Sequence, residues 1–197
     1  MKSQRGETPV SRGTLLLAVL ILLAILFLAS NMKVESLPGQ PETLYWGSLS
    51  QAEVERADHL LRVPFVEQKP WYCSEASASM VLQYYGFNVS QEEVNRQGYD
   101  RFENMLPFLQ RYVEAEYLEG LSLEEVKVQI DTGNPVILRI MSGGYRHSIV
   151  VVGYGEGYLY IHDPAEGAYM KADPQALLKV WKPTGQLAIT LKPKPSG

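Results

Sequence analysis

The chain has 197 residues, of which 46% are hydrophobic and 10% aromatic, a composition typical of a folded protein and not of a disordered one. Its formal net charge is -4, and acidic and basic residues are interspersed along the sequence. This pattern contains no basic stripe, which excludes the usual nucleic-acid-binding surface and predicts no nucleic-acid partner.

The first predicted element is an uncharged apolar segment, Thr14 to Ser30, with the sequence TLLLAVLILLAILFLAS. As a helix it is about 25 Å long, which nearly crosses the hydrocarbon layer of a membrane. Lys2, Arg5 and Arg12 precede it and only Lys33 follows closely, so the positive-inside rule places the N-terminus in the cytoplasm. We therefore predict a cytoplasmic N-terminus at residues 1–13, a single-pass transmembrane anchor in the cell membrane at 14–30, and an extracytoplasmic domain.

A cleaved signal peptide is the alternative interpretation of this segment. The charged leader is long for a signal peptide, and the stretch FLASNM offers no good small-x-small cleavage site. No cysteine stands at the end of the apolar run to accept a lipid. Both interpretations export the domain.

The next segment, residues 31–61, is polar and is predicted to be a linker that includes a helix near Gln51 to Leu61. The folded domain is predicted to cover residues 62–197. Its first part, LRVPFVEQKPWYC, is expected to be extended, and Ser74 to Tyr85 is predicted to be a helix. Cys73 is therefore expected at a helix N-terminus.

Three further helices are predicted in the first half of the domain. The pattern Ser-x-x-Glu occurs at residues 90–93 and 122–125 and is typical of a capping box, so short helices are expected to begin at Gln91 and Leu123. A longer helix is predicted over Asn104 to Tyr117.

After the Gly-Asn-Pro turn at residues 133–135, the sequence becomes rich in β-branched and aromatic residues. The segments VILRI, HSIVVVGY, GYLYIHD, AYMKA and LAITLK predict an antiparallel sheet, interrupted by one helix that begins at Asp173 and Pro174. Helices first and strands afterwards predict an α+β fold, with a helical N-terminal half, a sheet in the C-terminal half and a cleft between them.

The only cysteine, Cys73, cannot form an internal disulfide. It is therefore a buried inert thiol, an intermolecular bridge or a reactive group. A helix N-terminus stabilises a thiolate by about 0.3 to 1 kcal/mol, and a nearby imidazolium stabilises it further. A reactive Cys73 thus requires a histidine close by.

His147 is the best-placed histidine, because it opens a strand after the glycine-containing loop MSGGYRH. If the hairpin that follows is centred near Gly155, His147 and Asp163 lie opposite one another on neighbouring strands. If it is centred on Glu156, they are diagonal neighbours on one face. In both registers the Asp163 carboxylate orients the imidazole, whereas an error of one residue separates the two side chains.

The other two histidines are not expected to take part in the chemistry. His59 lies in a charged segment and is expected to be solvated, and His162 is expected to point away from whatever Asp163 faces. Asp163 precedes a proline, so by itself it is equally consistent with an ordinary turn residue. Gln68 is the candidate oxyanion donor beside the Cys73 backbone amide, although a loop glutamine is more often just a polar residue.

Three blocks, VPFVEQKPWYCSEASASMVLQYYG, GNPVILRI and HSIVVVGYGEGYLYIHDPA, resemble the bacteriocin double-glycine leader peptidases and their stand-alone relatives, which are papain-like cysteine peptidases. The resemblance covers residues 62–182. It implies a papain-like fold, with Gln68 as oxyanion donor, Cys73 as nucleophile, His147 as base and Asp163 as the orienting acid. These are the residues that the chemistry indicates independently.

The sequence departs from this family pattern in two places. Many members have glycine after the cysteine, whereas this chain has Ser74 and then Glu75, a carboxylate that suits the helix dipole but opposes a thiolate. The chain also has no phosphate-binding loop of the GxxxxGK type, so it cannot be the form that is fused to an ATP-driven exporter.

These observations predict a membrane-anchored thiol hydrolase that cleaves a peptide or related amide bond. The alternatives are a catalytically silent module that binds peptide or cell-wall fragments, and an acyl or peptidyl transferase, which sequence does not separate from a hydrolase. The expected partners are a peptide or protein substrate and the membrane. No cofactor, metal or ATP is expected, since the histidines and the cysteine show no ligand spacing.

Overall fold

The computed structural model describes residues 43–97 and 102–195, together with Ile21 and Leu23, which have helical backbone. The rest of the predicted anchor at residues 14–30 lies outside the described residues. Among the described residues, no helix has both the length and the apolar character that crossing a membrane requires. The chain divides into two compact units, Met1–Glu42 and Thr43–Gly197, and the second contains all the elements named below.

Strands and helices alternate through the second unit. The strands are β1 (Tyr45–Ser48), β2 (Glu114–Leu118), β3 (Val136–Ser142), β4 (Tyr145–Gly155), β5 (Tyr158–Asp163), β6 (Gly167–Ala172) and β7 (Ala188–Lys192). The α-helices are α1 (Gln51–Arg56), α2 (Cys73–Tyr84), α3 (Gln91–Asn95), α4 (Leu106–Leu109), α5 (Leu123–Asp131) and α6 (Pro174–Trp181). Short 3-10 helices cover Phe102–Met105 and Lys182–Thr184.

The strands form one sheet in the order β1-β6-β5-β4-β3-β7-β2, and each neighbouring pair is antiparallel. Strands β3, β4 and β5 are consecutive in the sequence and lie in the middle of the sheet. The five predicted strand segments of the C-terminal half are all present. The predicted helix starts at Gln91, Leu123 and Pro174 are confirmed as well.

The sheet is covered on both faces. On one face, α2, α3 and α4 pack against β4 and β7 through a core that includes Met80, Leu82 and Phe108. On the other face, α5 and α6 pack through a core that includes the fully buried Trp181. This is the predicted α+β arrangement, and it places α2 directly against the central strand β4.

Helix α2 begins at Cys73, as predicted, because a tight turn precedes it. The Tyr72 amide donates to the Lys69 carbonyl over 2.9 Å, with Pro70 and Trp71 between them. Trp71 has a φ of 71°, the left-handed conformation that the third position of a type II turn requires. The following residues of α2 from Glu75 to Leu82 are buried, so the helix that carries Cys73 is fixed firmly to the core.

The helix predicted over Asn104 to Tyr117 is wrong in its second half. A 3-10 turn and α4 occupy its start, but residues 114–118 form β2, which pairs with β7 along its whole length. Pairing with an edge of the sheet, together with the buried Ala115, outweighs the helical propensity of the segment.

Residues 43–61 also differ from a simple linker. They contain β1, which pairs with β6, and α1, whose Val54 is buried in the core. Ser50 and Glu53 form a capping box at the start of α1. This capping and the apolar contact of α1 explain why the described part of the predicted linker is folded.

Candidate active site

The relative positions of His147 and Asp163 depend on a bulge between β4 and β5. Next to the turn, Gly155 pairs with Tyr158, but the register shifts between Val151 and Gly153. Beyond the shift, Val150 pairs with His162, which places Ile149 opposite Asp163. His147 and Asp163 are then diagonal neighbours on one face of the ladder, the register that corresponds to a hairpin centred on Glu156. Without the bulge they would face opposite sides of the sheet.

Gly153 allows another backbone segment to lie close to β4 beside the bulge. A Cβ atom at this position would lie 2.5 Å from the backbone oxygen of His59. Leu60 forms an isolated bridge with Gly153, and the Leu61 amide donates to the Val152 carbonyl over 2.8 Å. The segment that leads into the domain therefore crosses β4 beside the bulge and requires glycine there.

His147 and Asp163 are in direct contact. The distance from His147 Nε2 to Asp163 Oδ1 is 2.7 Å, and the two side chains are only 13% and 4% exposed. Burial raises the pKa of Asp163, but hydrogen bonds from His147 and Tyr45 outweigh it and hold the pKa below its usual range. Asp163 is therefore a carboxylate that fixes the imidazole, with Nδ1 left to face Cys73.

Cys73 is a partly buried free thiol at the N-terminus of α2. Burial raises its pKa, but hydrogen bonds with His147 and the Ser148 backbone and the charges of His147 and Arg139 outweigh this effect. The pKa falls to about 7. A thiol with this value is about half ionised at pH 7, whereas an ordinary cysteine, with a pKa of about 8.5, is ionised only to a few per cent.

The pKa of the His147 imidazole shifts in the opposite direction, upward. Burial lowers the pKa of His147, but hydrogen bonds with Asp163 and Cys73 and the charges of both outweigh it, and the pKa rises to about 9. Because the thiol loses its proton below the pH at which the imidazolium does, the two groups form an ion pair between these values. The arrangement supplies a nucleophile and a proton donor at once.

Gln68 lies beside this pair. Its backbone amide donates to the Pro164 carbonyl over 2.9 Å, which ties the loop to the residue that follows Asp163. Its side chain lines the same cleft as Cys73, and its Oε1 is buried without a hydrogen-bond partner among the described residues. The Nε2 group of the same amide is the donor available to an oxygen that approaches the thiol.

These groups line an open cleft of about 420 Å³. Two exposed aromatic residues stand at its edge: Trp71 is 80% exposed and Tyr145 is 66% exposed. Their rings meet edge to face, with 5.9 Å between centroids. Because one ring comes from the loop before α2 and the other from the β3–β4 hairpin, they connect the two sides of the cleft.

The two residues after Cys73 face different surroundings. Glu75 is buried on the other side of the helix, where its carboxylate accepts a hydrogen bond of 3.1 Å from Asn95. Asn95 in turn accepts one of 3.0 Å from the Tyr72 hydroxyl. Ser74 faces the sheet, where its hydroxyl lies 2.9 Å from that of Ser148.

Three residues of the site were not predicted from the sequence. Arg139 lies next to Cys73, and Tyr45 contacts Asp163. Ser148, the residue after His147, accepts a hydrogen bond from Arg139. The single arginine within the apolar run VILRI was an available signal, because a charged side chain in a central strand requires a polar site. Nothing in the sequence near Tyr45 or Ser148 distinguishes them.

The remaining histidines have the structural roles expected for them. His162 is fully buried, its Nε2 bonds to the Val63 carbonyl, and burial lowers its pKa to about 4. His59 is half exposed, contacts Asp131 over 2.8 Å and stacks on Tyr154 at the edge of a separate cavity. In the part of the chain that the structure describes, no three potential ligands among His, Cys, Asp and Glu come together to hold a metal ion.

Comparisons with known proteins bear on the family and the fold of this chain. A sequence profile of the Peptidase_C39 like family matches residues 60–189. No match to this chain is found among curated proteins.

Several solved structures share the fold. A protein from Bacillus anthracis described as a C39-like peptidase has a TM-score of 0.59 and 19% identity over 70% of this chain and 98% of its own. A double glycine motif protease from an AMS/PCAT transporter, solved in complex with the leader peptide, has a TM-score of 0.55 and 25% identity over 72% of this chain and 97% of its own. The peptidase domain of Streptococcus ComA, a bifunctional ABC transporter, has a TM-score of 0.53 and 21% identity over 66% and 97%. The predicted papain-like fold and family resemblance are confirmed.

Proposed function

The chain belongs to the Peptidase_C39 like family, and from this premise we propose that it is a membrane-anchored, extracytoplasmic thiol hydrolase that cleaves a peptide or related amide bond through a Cys–His–Asp acyl-enzyme mechanism. The observation that carries the proposal is the placement of Cys73, His147 and Asp163 in one cleft, with a thiol pKa of about 7 below an imidazole pKa of about 9. A buried inert thiol would have a raised pKa.

In the acylation step, Cys73 Sγ attacks the carbonyl carbon as a thiolate and forms a C–S bond. The negative charge moves to the carbonyl oxygen, which accepts hydrogen bonds from the Cys73 backbone amide and the Gln68 side-chain amide. The Cys73 amide lies in the first turn of α2, where amides have no partner within the helix. His147 then gives its proton to the leaving nitrogen, and the C–N bond breaks.

In the deacylation step, neutral His147 accepts a proton from a water molecule that attacks the thioester carbonyl. The C–S bond breaks, the acid product leaves, and the thiolate and imidazolium are restored. Asp163 keeps the ring in one orientation through both steps.

The cleft and a structural neighbour support a peptide-like substrate. The double glycine motif protease with the same fold was solved with a leader peptide, which supports a peptide-like substrate for this chain. The cleft is open and has aromatic residues at its edge, as a groove for an extended chain requires.

The location rests on sequence. The uncharged segment at residues 14–30, preceded by three cationic residues, supports a membrane anchor with the domain outside.

The test uses the full chain and a library of peptides, with mass spectrometry to detect new termini. We expect cleavage by the parent protein, none by Cys73→Ala, and a loss of at least about 100-fold in His147→Ala, since general acid–base catalysis typically contributes that much. His59→Ala is the matched control, because it removes a histidine that lies outside the cleft. Cleavage in H₂¹⁸O should place the label in the new C-terminus if the acyl enzyme is hydrolysed and not transferred.

Cleavage that persists in Cys73→Ala would overturn the thiol mechanism. A parent protein that binds peptides without cutting any, and whose thiol reacts like a free cysteine, would instead indicate a binding module. Location is tested separately: proteolysis of intact cells should degrade the domain, whereas protection of the domain would contradict the extracytoplasmic assignment.

A further inference from the structure

A guanidinium group lies beside the thiol. Arg139 is in the middle of β3, and its Nη1 donates to Ser74 Oγ over 2.9 Å and to Ser148 Oγ over 2.8 Å. The same nitrogen is 3.6 Å from Cys73 Sγ, within the range of an N–H···S hydrogen bond. The two serine hydroxyls are also hydrogen-bonded to each other, so two serine side chains hold one nitrogen of Arg139 against the nucleophile.

Arg139 has no carboxylate partner among the described residues. It takes part in none of their ion pairs, its Nε is buried without a hydrogen-bond partner, and its guanidinium carbon is 5.6 Å from the centre of the Phe102 ring. A partly buried cation without a counter-charge is costly. Among the groups to which Arg139 donates, only Cys73 can become an anion.

Other charged groups lie near Cys73. On its own helix, the Glu75 side chain is turned toward Asn95. The sheet side presents two cations, Arg139 from β3 and His147 from β4. The remaining charged groups that line the cleft are Arg146, Asp163 and Glu166.

We propose that Arg139 is a second cation of the site, a positioning residue that keeps Cys73 ionised when His147 is neutral. The inference rests on the proposed function, because it concerns the same nucleophile. Its effect falls on the free enzyme, where sulfur is an anion, and not on the acyl enzyme, where sulfur carries no charge. When the C–S bond of the acyl enzyme breaks, the departing thiolate has two cations beside it, Arg139 and the imidazolium of His147.

The two serines explain how the guanidinium is held. Ser148 is fully buried and follows the imidazole directly, so its hydroxyl is fixed on the face of β4 that meets α2. Ser74 occupies the position after the nucleophile, and without a side chain there Arg139 would lose one of its two neutral partners. The departure from glycine at position 74 is thus the feature of α2 that accommodates Arg139.

The experiment follows alkylation of the full chain by iodoacetamide between about pH 4 and 10, which reports on Cys73 alone because the chain has one cysteine. The variants are His147→Ala, and the same variant combined with Arg139→Met, Arg139→Lys or Arg146→Met. We expect His147→Ala to keep a thiol pKa below the ordinary value of about 8.5. Adding Arg139→Met should return the pKa to that value or above and lower the rate at pH 7 about tenfold. Arg139→Lys should restore part of the shift, and Arg146→Met, a cation of the same cleft, should change little.

Equal pKa values in His147→Ala with and without Arg139→Met, in proteins with matching melting curves, would overturn the inference. If Arg139→Met fails to fold, His147→Ala alone decides: an ordinary thiol pKa in that variant means that Arg139 does not sustain the thiolate. The proposed function fails differently, because it requires the parent thiol itself to have a lowered pKa. A lowered parent value that disappears in His147→Ala would reject the role of Arg139 and leave the hydrolase intact.

Discussion

The Tyr45 hydroxyl donates a hydrogen bond of 2.6 Å to Oδ2 of Asp163. The other carboxylate oxygen accepts from His147 and, over 2.9 Å, from the Ala165 amide. Both oxygens of this buried group are therefore engaged, and Tyr45 supplies the donor for one of them. Tyr45 lies in β1, before residues 60–189 that match the family, so the segment that precedes the family domain helps to orient the acid.

Tyr45→Phe is expected to lower stability and activity together. The change leaves a buried carboxylate oxygen without a donor, which costs about 1 to 3 kcal/mol. The pKa of Asp163 should rise, since the hydrogen bond from Tyr45 contributes to lowering it. Peptide cleavage should fall about threefold to tenfold, because a carboxylate held by two donors instead of three orients the imidazole less well. Urea unfolding and initial rates measure the two effects.

Tyr154→Phe is the matched control for this change. The Tyr154 hydroxyl donates to Asp131 over 2.8 Å, a bond of the same chemistry, but Asp131 is 45% exposed and lies outside the cleft. Water can replace the lost donor there, so stability should change by no more than about 0.5 kcal/mol and activity should not change. Equal losses in the two variants would contradict a special role for Tyr45.

The pH dependence of cleavage should be bell-shaped. The pKa of Cys73 is lowered to about 7, so the thiolate is present above that pH and kcat/KM should rise with pH through it. The pKa of His147 is raised to about 9, so the proton for the leaving nitrogen is lost above that pH and kcat/KM should fall. The two limbs belong to the interacting pair and not to either residue alone.

Asp163→Asn tests the assignment of the alkaline limb. The hydrogen bond and charge of Asp163 raise the pKa of His147, so their removal should move this limb to lower pH and narrow the bell. An alkaline limb that stays at the same pH would mean that His147 does not supply the proton.

Gln68→Ala should separate cleavage from thiol reactivity. Loss of one oxyanion donor typically lowers kcat about 100-fold to 1000-fold. Alkylation of Cys73 by iodoacetamide forms no oxyanion and should keep nearly the same rate and pH profile. Parallel losses in both reactions would show that Gln68 shapes the thiol environment and does not donate to the oxyanion.

The sequence was sufficient for the parts of the site that depend on local signals. A helix N-terminus at Cys73 and the alternation of His162 and Asp163 both follow from short-range chemistry, whereas the type II turn before Cys73 was not predicted. The sequence predicted that His147 and Asp163 are in contact, but it left open which of two strand registers brings them together. The deciding feature is the bulge, which lies beside Gly153, where a backbone segment far away in sequence crosses β4. A glycine within a strand pattern is the one local sign of it.

Long-range pairing accounts for the other differences. The residues of β2 have helical composition, and only the free edge of β7 makes them a strand. Arg139 and Ser148 are neighbours because β3 and β4 pair in that register, and Ser74 reaches them because α2 packs on the same face. Such contacts arise from the tertiary fold and leave no periodic pattern in the sequence.

Trp71→Gly should lower peptide cleavage without lowering stability. Trp71 has the left-handed φ of 71°, a conformation that costs an ordinary residue about 1 to 2 kcal/mol and costs glycine almost nothing. The ring is 80% exposed, so little buried apolar area is lost. Relief of strain should offset the entropy that glycine loses on folding, and the free energy of unfolding should stay within about 1 kcal/mol of the parent value or rise. Cleavage should fall because the aromatic contact with Tyr145 at the cleft edge disappears.

Trp46→Gly is the control for this last change. Trp46 is also a largely exposed tryptophan, 67% accessible, but it lies in β1 with an ordinary φ and away from the cleft. Glycine there should destabilise the strand by about 0.5 to 1 kcal/mol and leave the chemistry of Cys73 unchanged. If Trp71→Gly destabilises the protein by more than Trp46→Gly does, the Trp71 side chain stabilises the fold. If the Trp71→Gly variant is stable and fully active, the Trp71 ring has no part in substrate binding. The expected combination, a stable protein with weakened cleavage, means that the strained conformation is retained because it holds the ring at the edge of the cleft.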